Sequence, residues 1–240
     1  MSIFVTLENR HHVLKYKPDI VPDNLLNDLL YGAWKITPSK QNCMPYTVSV
    51  LGPNKQKEKD IIHNKVVGNH KVWEDTGLTK DTKANPKIDG EYKFNLNPNY
   101  HHVRFNSHLL IFSQRVLKEP NRFYKRAILK EGHYLEQAEL DEVKTTAESV
   151  SFEVGLFVSN LTALCIENKI DVSYCGCYPK KEYMWKETPY LWYDTEKQLA
   201  HVHGIMSIGY GAYYRHEWLK KVNKTRDDIK PEVDEVVKWC

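Results

Sequence analysis

Apolar residues recur along the chain in two rhythms, and each rhythm predicts an element. Between residues 22 and 35, Leu25, Leu26, Leu29, Leu30, Ala33 and Trp34 fall at three- and four-residue spacing, which puts them on one stripe of a helix. Pro22 suits its first turn and Asp23 its positive end. Thr37-Pro38-Ser39-Lys40-Gln41-Asn42 then reads as a turn, because proline cannot continue a helix and short polar side chains bond to local backbone. Tyr46–Leu51 alternates and predicts a strand. A charged helix follows, opened by Pro53 and reaching about Val67. His108–Ser113 is an unbroken apolar run of strand length. A short helix is predicted from Arg122 to Glu131 and a long one from about Glu136 to Lys169. The second half of the long helix carries Val150, Val154, Phe157, Val158, Leu161, Leu164 and Cys165, so nearly every face is apolar and the helix should be central. Gly155 leaves room there for a close helix crossing. Asp171–Cys175 and Gly204–Gly209 predict further strands, and Pro231–Trp239 a docked C-terminal helix.

Residues 74–100 break the rhythm with Gly77, Pro86, Gly90 and Pro98 among many charges. They read as an insertion or lid, since long irregular connections in compact domains tend to be functional or mobile. The chain shows no repeat with a period of about 20–50 residues and no linker rich in Pro, Gly or Ser. A single domain over 1–240 is therefore expected, of α/β or α+β class. The 15 Tyr, 6 Trp and 7 Phe, with 41% hydrophobic and 27% charged residues, exclude a disordered chain. A net charge of +3 is too small to argue for nucleic acid. No uncharged apolar run reaches the about 18 residues of a spanning helix, and the first residues do not resemble a signal peptide. Cysteines 43, 165, 175, 177 and 240 make an odd set without framework spacing, which fits a reducing compartment. The expectation is a soluble cytoplasmic protein with neither a nucleic-acid nor a membrane partner.

The familiar nucleotide, metalloprotease and hydrolase motifs are absent: there is no GxxxxGK[ST], HExxH, GxSxG or helix-opening GxGxxG. Gly209-Tyr210-Gly211 follows a strand, but Tyr214 stands at the third-glycine position, so a pyridine nucleotide would not be held by a Rossmann site. Three constellations remain. Cys175-x-Cys177 with His201-x-His203 offers four zinc-type ligands, but the spacing is tighter than a CxxC knuckle, Gly176 and Pro179 suggest a special backbone conformation instead, and ordinary buried thiols with surface histidines are the favoured reading. Arg10, Lys15 and Lys17 near the start, and Lys220, Lys221, Lys224 and Arg226 near the end, are each an ordinary surface charge. Together they form a phosphate site only if they converge. The Pro38–Asn42 stretch is either a helix-terminating turn or a polar loop facing a ring system.

In order and spacing these segments resemble the nitroreductase family of FMN-dependent NAD(P)H oxidoreductases. Arg10-His11-His12-Val13-Leu14-Lys15-Tyr16 is similar to that family's Arg-Arg-Ser opening. Pro38-Ser39-Lys40-Gln41-Asn42-Cys43-Met44-Pro45-Tyr46 is similar to its PSxxNxQPW, with Met44 for Gln and Tyr46 for Trp. Gly155 through Asn160-Leu161 resembles its central helix, Asp171 through Tyr178 its flavin-edge segment, and Ile208-Gly209-Tyr210 with Lys224-Thr225-Arg226 its late basic pattern. The resemblance spans the chain except about 70–98.

The resemblance implies an α+β fold, a mixed sheet flanked by helices, in an interlocked homodimer with two FMN sites. It implies that Arg10, Lys224 and Arg226 grip the FMN phosphate, with His11 beside them. His12, standing where the family has Ser, would touch phosphate or ribityl. Ser39 and Asn42 would reach the ring across the dimer interface, and Asn99 and His102 would lie at the pyrimidine edge. Gly176 would offer its backbone N–H to flavin N5, with Cys177 next to it. The implied reaction passes hydride from NAD(P)H, as co-substrate, through the flavin to a nitroaromatic, quinone or similar acceptor by ping-pong exchange. Phe123 and Tyr124 are lid candidates or simply a packed helix face. A specialised flavin reaction, reductive dehalogenation or flavin fragmentation, is the alternative within the family. A zinc-stabilised binding scaffold is the alternative outside it.

Overall fold

The computed structural model describes residues 10–39, 43–75, 102–115, 147–221 and 236–237. In chain order the elements are β1 (Val13–Tyr16), α1 (Asp23–Ile36), β2 (Tyr46–Leu51), α2 (Gln56–Asp75), β3 (His108–Gln114), α3 (Ala147–Glu167) and β4 (Asp171–Cys175). Two 3-10 turns follow (Glu182–Trp185 and Pro189–Leu191), then β5 (Val202–Gly209), β6 (Gly211–Tyr214) and α4 (Arg215–Lys221). Four strands lie side by side in the order β2-β3-β5-β4, and β1 pairs with β6 in a small ribbon. The α+β class is as expected, but the mixed sheet is not: among the described residues every strand pairing is antiparallel. The cause is where the connections return. The chain leaves β2 at Leu51 and comes back beside it, Leu51 facing Leu109, and it leaves β4 at Cys175 and returns within reach of Ile205. Connections that leave and return at one end of a sheet make antiparallel neighbours.

Alternation along the strands builds two apolar layers, one on each face. On one face Leu110, Phe112, Val172, Met206 and Ile208 pack against α1 (Leu26, Leu29, Ala33) and α3 (Val150, Val154, Phe157, Leu161, Cys165). On the other, Leu51, Leu109, Ile111, Cys175, Val202 and Ile205 meet Ile62 and Val66 of α2 with Tyr178, Trp185 and Leu191. β3 is covered on both sides, which explains its unbroken apolar run. Phe157 meets Tyr46 and Phe112 edge-on, at centroid distances of 5.7 and 5.9 Å. Such pairs add about 0.5–1.5 kcal/mol each beyond simple burial.

α1 follows its pattern, with Pro22 immediately ahead and Thr37 closing it through N–H and hydroxyl bonds to the Ala33 carbonyl (3.0 and 2.7 Å). Trp34 departs from the stripe. It lies one residue, about 100° of helix, beyond buried Ala33, and it stands exposed beside Tyr31. α2 begins at Gln56, because Pro53 and Asn54 form a turn in which Lys55 N–H donates to Gly52 O (3.1 Å), and it runs past Val67 to Asp75. The Glu148–Glu167 stretch of α3 is long and apolar enough to cross a membrane by length and composition. Its apolar side is instead the floor of the sheet. Gly155 is exposed and a Cβ there would meet nothing within 4 Å, so among the described residues it marks no close helix crossing.

β5 starts earlier than predicted, at Val202, and β1, β6 and α4 were not predicted. Gly209-Tyr210-Gly211 is the switch between β5 and β6. A Cβ on Gly209 would come 2.8 Å from the Tyr16 ring, whose hydroxyl donates to Ser207 O (2.9 Å). The glycine therefore seats Tyr16 rather than a dinucleotide, although α4 does start soon after. The expected helix at 122–131, the first part of the long helix, the insertion beyond Asp75 and nearly all of 231–239 lie outside the described residues.

Candidate functional site

One pair of serines organises the polar part of the sheet. Ser173 of β4 and Ser207 of β5 face each other in register, both fully buried, on the layer that carries α2. Ser173 Oγ accepts from Val13 N–H (2.8 Å) and donates to Val13 O (2.9 Å). Ser207 Oγ bonds His102 Nδ1 (2.9 Å). Two stretches distant in sequence, 10–12 and the turn before β3, are thereby brought to one place.

The N-terminal stretch is fixed from its other side as well, since Arg215 N–H donates to His12 O (2.8 Å). The Arg10 guanidinium stands 5.5 Å above the Tyr174 ring. The His12 ring meets His102 in a T at 5.3 Å. His12 Nε2 is buried and has no hydrogen-bond partner among the described residues. Burial first, then the Arg215 and Arg10 charges, push the His12 imidazole down to about 4. His11 turns to the other side, 4.3 Å from His216 and 6.0 Å from Tyr214. The Asp171 carboxylate at this end accepts from Gly211 N–H (2.8 Å) and the Tyr214 hydroxyl (3.1 Å). Burial and that carboxylate push the Tyr214 phenol up to about 12.

β4 ends in the Gly176 loop. Gly176 is exposed, with open space where a Cβ would stand, so its backbone can be approached closely. A thiol–thiol hydrogen bond joins Cys175 to Cys177, and it raises the buried Cys175 thiol well above its ordinary value. The His201 and His203 rings stack at 4.5 Å. Each is already engaged: His203 Nδ1 with Ser151 Oγ (2.9 Å), His201 Nδ1 with Glu182 Oε1 (3.4 Å). Among the described residues no group of three or more His, Cys, Asp or Glu side chains is placed to hold a metal ion. Cys175, Cys177, His201 and His203 are therefore not assembled as the zinc alternative requires.

Ser39 lies elsewhere. It donates to Glu153 Oε2 of α3 (2.6 Å) and accepts from Met44 N–H (2.8 Å). Arg115 adds bonds to the carbonyls of Met44 and Cys43. These contacts hold Met44 at φ 45°, a left-handed conformation unusual for a side chain of this size. The loop leads into β2, the sheet edge opposite β4. Within one chain, then, Arg10, His12 and His102 come together, His11 sits just beyond them, Gly176 and Cys177 lie in the loop after β4, and Ser39 is remote. Asn42, Asn99, Lys224 and Arg226 lie outside the described residues. Arg215, His216, Ser173 and Ser207 were missed from the sequence. The available signal was a serine directly flanked by apolar residues within each of two predicted strands, Val172-Ser173-Tyr174 and Met206-Ser207-Ile208.

No family model and no curated protein matches the chain. Solved structures do match along its whole length. A candidate NAD(P)H:FMN oxidoreductase from Staphylococcus epidermidis superposes with a TM-score of 0.62 at 15% identity, covering 100% of this chain and 96% of that one. The chain has the nitroreductase fold. A nitroreductase-like protein from Streptococcus mutans gives a TM-score of 0.60 at 14% identity, over 99% and 97% of the two chains. An FMN- and NADPH-dependent nitroreductase variant from a Sphingopyxis species gives 0.58 at 15%, over 100% and 99%. Set on this fold, the Arg10–His12 cluster and the Gly176 loop flank the same strand, β4.

Proposed function

We propose that the chain is an FMN-dependent oxidoreductase. It draws electrons from NAD(P)H and delivers them to a small acceptor such as a nitroaromatic or a quinone, donor and acceptor using one open face in turn. The observation that carries this reading is the gathering of Arg10, His12, His102 and Arg215 beside β4, with a side-chain-free, exposed Gly176 after it. The residues present fit the cofactor. The cluster is cationic and contains a buried imidazole nitrogen without a partner, while the glycine leaves room for a flat ring. Similarity to proteins named as FMN- and NAD(P)H-dependent supports the same cofactor pair.

When bound, FMN supplies reversible two-electron chemistry, and the protein supplies orientation and electrostatics. Arg10 and Arg215 hold the phosphate, joined by Lys224 and Arg226. His102, oriented by Ser207, faces the pyrimidine edge with Asn99. Gly176 N–H orients the hydride-accepting edge, and Cys177 shapes the adjoining wall. Ser39 and Asn42 come from a second copy, because in one chain the Ser39 loop sits at the far edge of the sheet. Tyr31, Trp34 and Ile36 of α1 and Phe152 of α3, all largely exposed, provide the apolar surface that such a homodimer covers. One domain over 1–240, working in the cytoplasm, completes the reading.

Reconstitution tests it. The purified chain should take up FMN, show flavin absorption and lose that absorption on addition of NAD(P)H under anaerobic conditions. A protein that stays colourless and does not retain FMN would overturn the proposal.

A further inference from the structure

The His12 ring is held rather than loosely placed. Its own carbonyl is bonded by Arg215 N–H, the next residue is bonded twice to Ser173, and the ring lies against His102. Its Nε2 is buried and, among the described residues, unpartnered. Among the described residues, the groups that face it are Arg10 from its own segment, Arg215 from α4 and His102 from the turn before β3. His11 is turned toward His216 and Tyr214, and the carboxylate on β4, Asp171, is bonded to Gly211 and Tyr214. A serine here would donate a hydrogen bond at any pH. An imidazole among two guanidiniums behaves differently, because its charge depends on what fills the space before it.

We propose that Arg10, His12 and Arg215 form a proton-coupled phosphate site, flanked by His102, in which a phosphate monoester dianion binds together with one proton taken up on His12. This rests on the flavin reading above and states how the phosphate end of that cofactor is held. Without an anion, burial and the two arginines keep the ring neutral at pH 7. A dianion reverses the local field. At about 4 Å and an effective permittivity of about 20, each unit of negative charge raises the pKa of a neighbouring imidazole by roughly three units, which brings that of His12 to about 7 or above and favours the protonated ring. Between its free and bound values the site takes up a proton on binding, so affinity falls as pH rises. Below about pH 6 the phosphate's own second protonation offsets the effect. The window to examine therefore begins near pH 6.5.

The test is calorimetric titration of the full-length chain with FMN, and separately with riboflavin, which lacks the phosphate. Two buffers of different ionisation enthalpy are used at each pH. FMN binding at pH 7 should take up about 0.5–1 proton and weaken about three- to ten-fold from pH 6.5 to 7.5, whereas riboflavin binding should take up none. His12→Ser and His12→Gln should abolish the uptake and flatten the pH dependence, with circular dichroism confirming that each is folded. FMN binding by the natural chain without proton uptake overturns the proposal and leaves the flavin reading standing. So does equal uptake with riboflavin, or uptake retained in both variants, which would put the proton on His11, His102 or His216. Failure of both FMN and riboflavin to bind overturns the flavin reading and this inference together.

Discussion

Ser173→Ala removes a single oxygen from the interior and should weaken both the fold and the site. Ser173 and Val13 are each 0% exposed, so water cannot replace what is lost. The hydroxyl makes two bonds to one backbone unit, accepting at 2.8 Å and donating at 2.9 Å. Leaving a buried backbone donor unmade costs about 1–3 kcal/mol. With the carbonyl also deprived of its partner, a loss of about 2 kcal/mol is expected, or a fall in Tm of about 4–8 °C for a chain of this length. Urea unfolding should show a lower midpoint at unchanged slope. Arg10, His11 and His12 precede Val13 directly, so FMN affinity should fall about three- to ten-fold, equivalent to about 0.7–1.4 kcal/mol. Ser207→Ala is the comparator: it releases His102 but not Val13, so FMN should be affected while the N-terminal strand stays in place. A Ser173→Ala protein within about 0.5 kcal/mol of the parent, a typical neutral surface effect, would show that Ser173 does not anchor the segment.

Gly176→Val should leave stability within about 0.5 kcal/mol, since a Cβ there enters open space, yet reduce FMN retention and NAD(P)H turnover at least about tenfold by blocking backbone approach; unchanged turnover would remove Gly176 from the site. Burial, His201 and Lys180 hold His203 down to about 4, against about 6.5 in an unfolded chain. The unfolded state then binds more protons between those values, so stability should fall as pH drops from 6.5 toward 4, and His203→Asn should make that fall shallower; urea midpoints across this range decide it, and an unaltered slope would contradict the assignment. Phe152 is 69% exposed on α3, so Phe152→Lys should spare the subunit's fold while shifting sedimentation toward the monomer and lowering flavin content; a stable dimer in the variant would place the subunit contact elsewhere.

Elements with a self-contained pattern were legible in the sequence. α1, β2, β3 and β4 each bury a face or two of their own, and periodicity reports that directly. β1 and β6 were not, because each has four residues and exists only through the other: Val13 pairs with Tyr214, two hundred residues away in sequence. Trp34 was misplaced because a helical stripe read from sequence has no sharp edge. The antiparallel sheet was missed because orientation depends on where connections return, which no local pattern records. Arg10 stood among the basic residues that could converge on a phosphate, whereas His12 and His102 were picked out through a family resemblance rather than through their own chemistry. Arg215 and His216 follow a four-residue strand that was itself invisible, and in Tyr-Arg-His-Glu-Trp they look like any polar surface run.

The paired serines show why such a site hides in plain sequence. A buried hydroxyl without a partner is unfavourable, so Ser173 and Ser207 are tolerated between apolar neighbours only while Val13 and His102 are present to meet them. Those partners come from stretches far apart in sequence, one from the N-terminal strand and one from the turn before β3. Strand register decides that the two hydroxyls lie opposite each other, and a slip of one residue in either strand would turn its serine toward α3 instead. The sheet must therefore be complete before the cluster exists, and the cluster in turn fixes the chain's first described residues to the sheet. Stability and cofactor affinity should consequently move together for substitutions at Ser173, and separate for those at Gly176, where the backbone borders the site without supporting the fold.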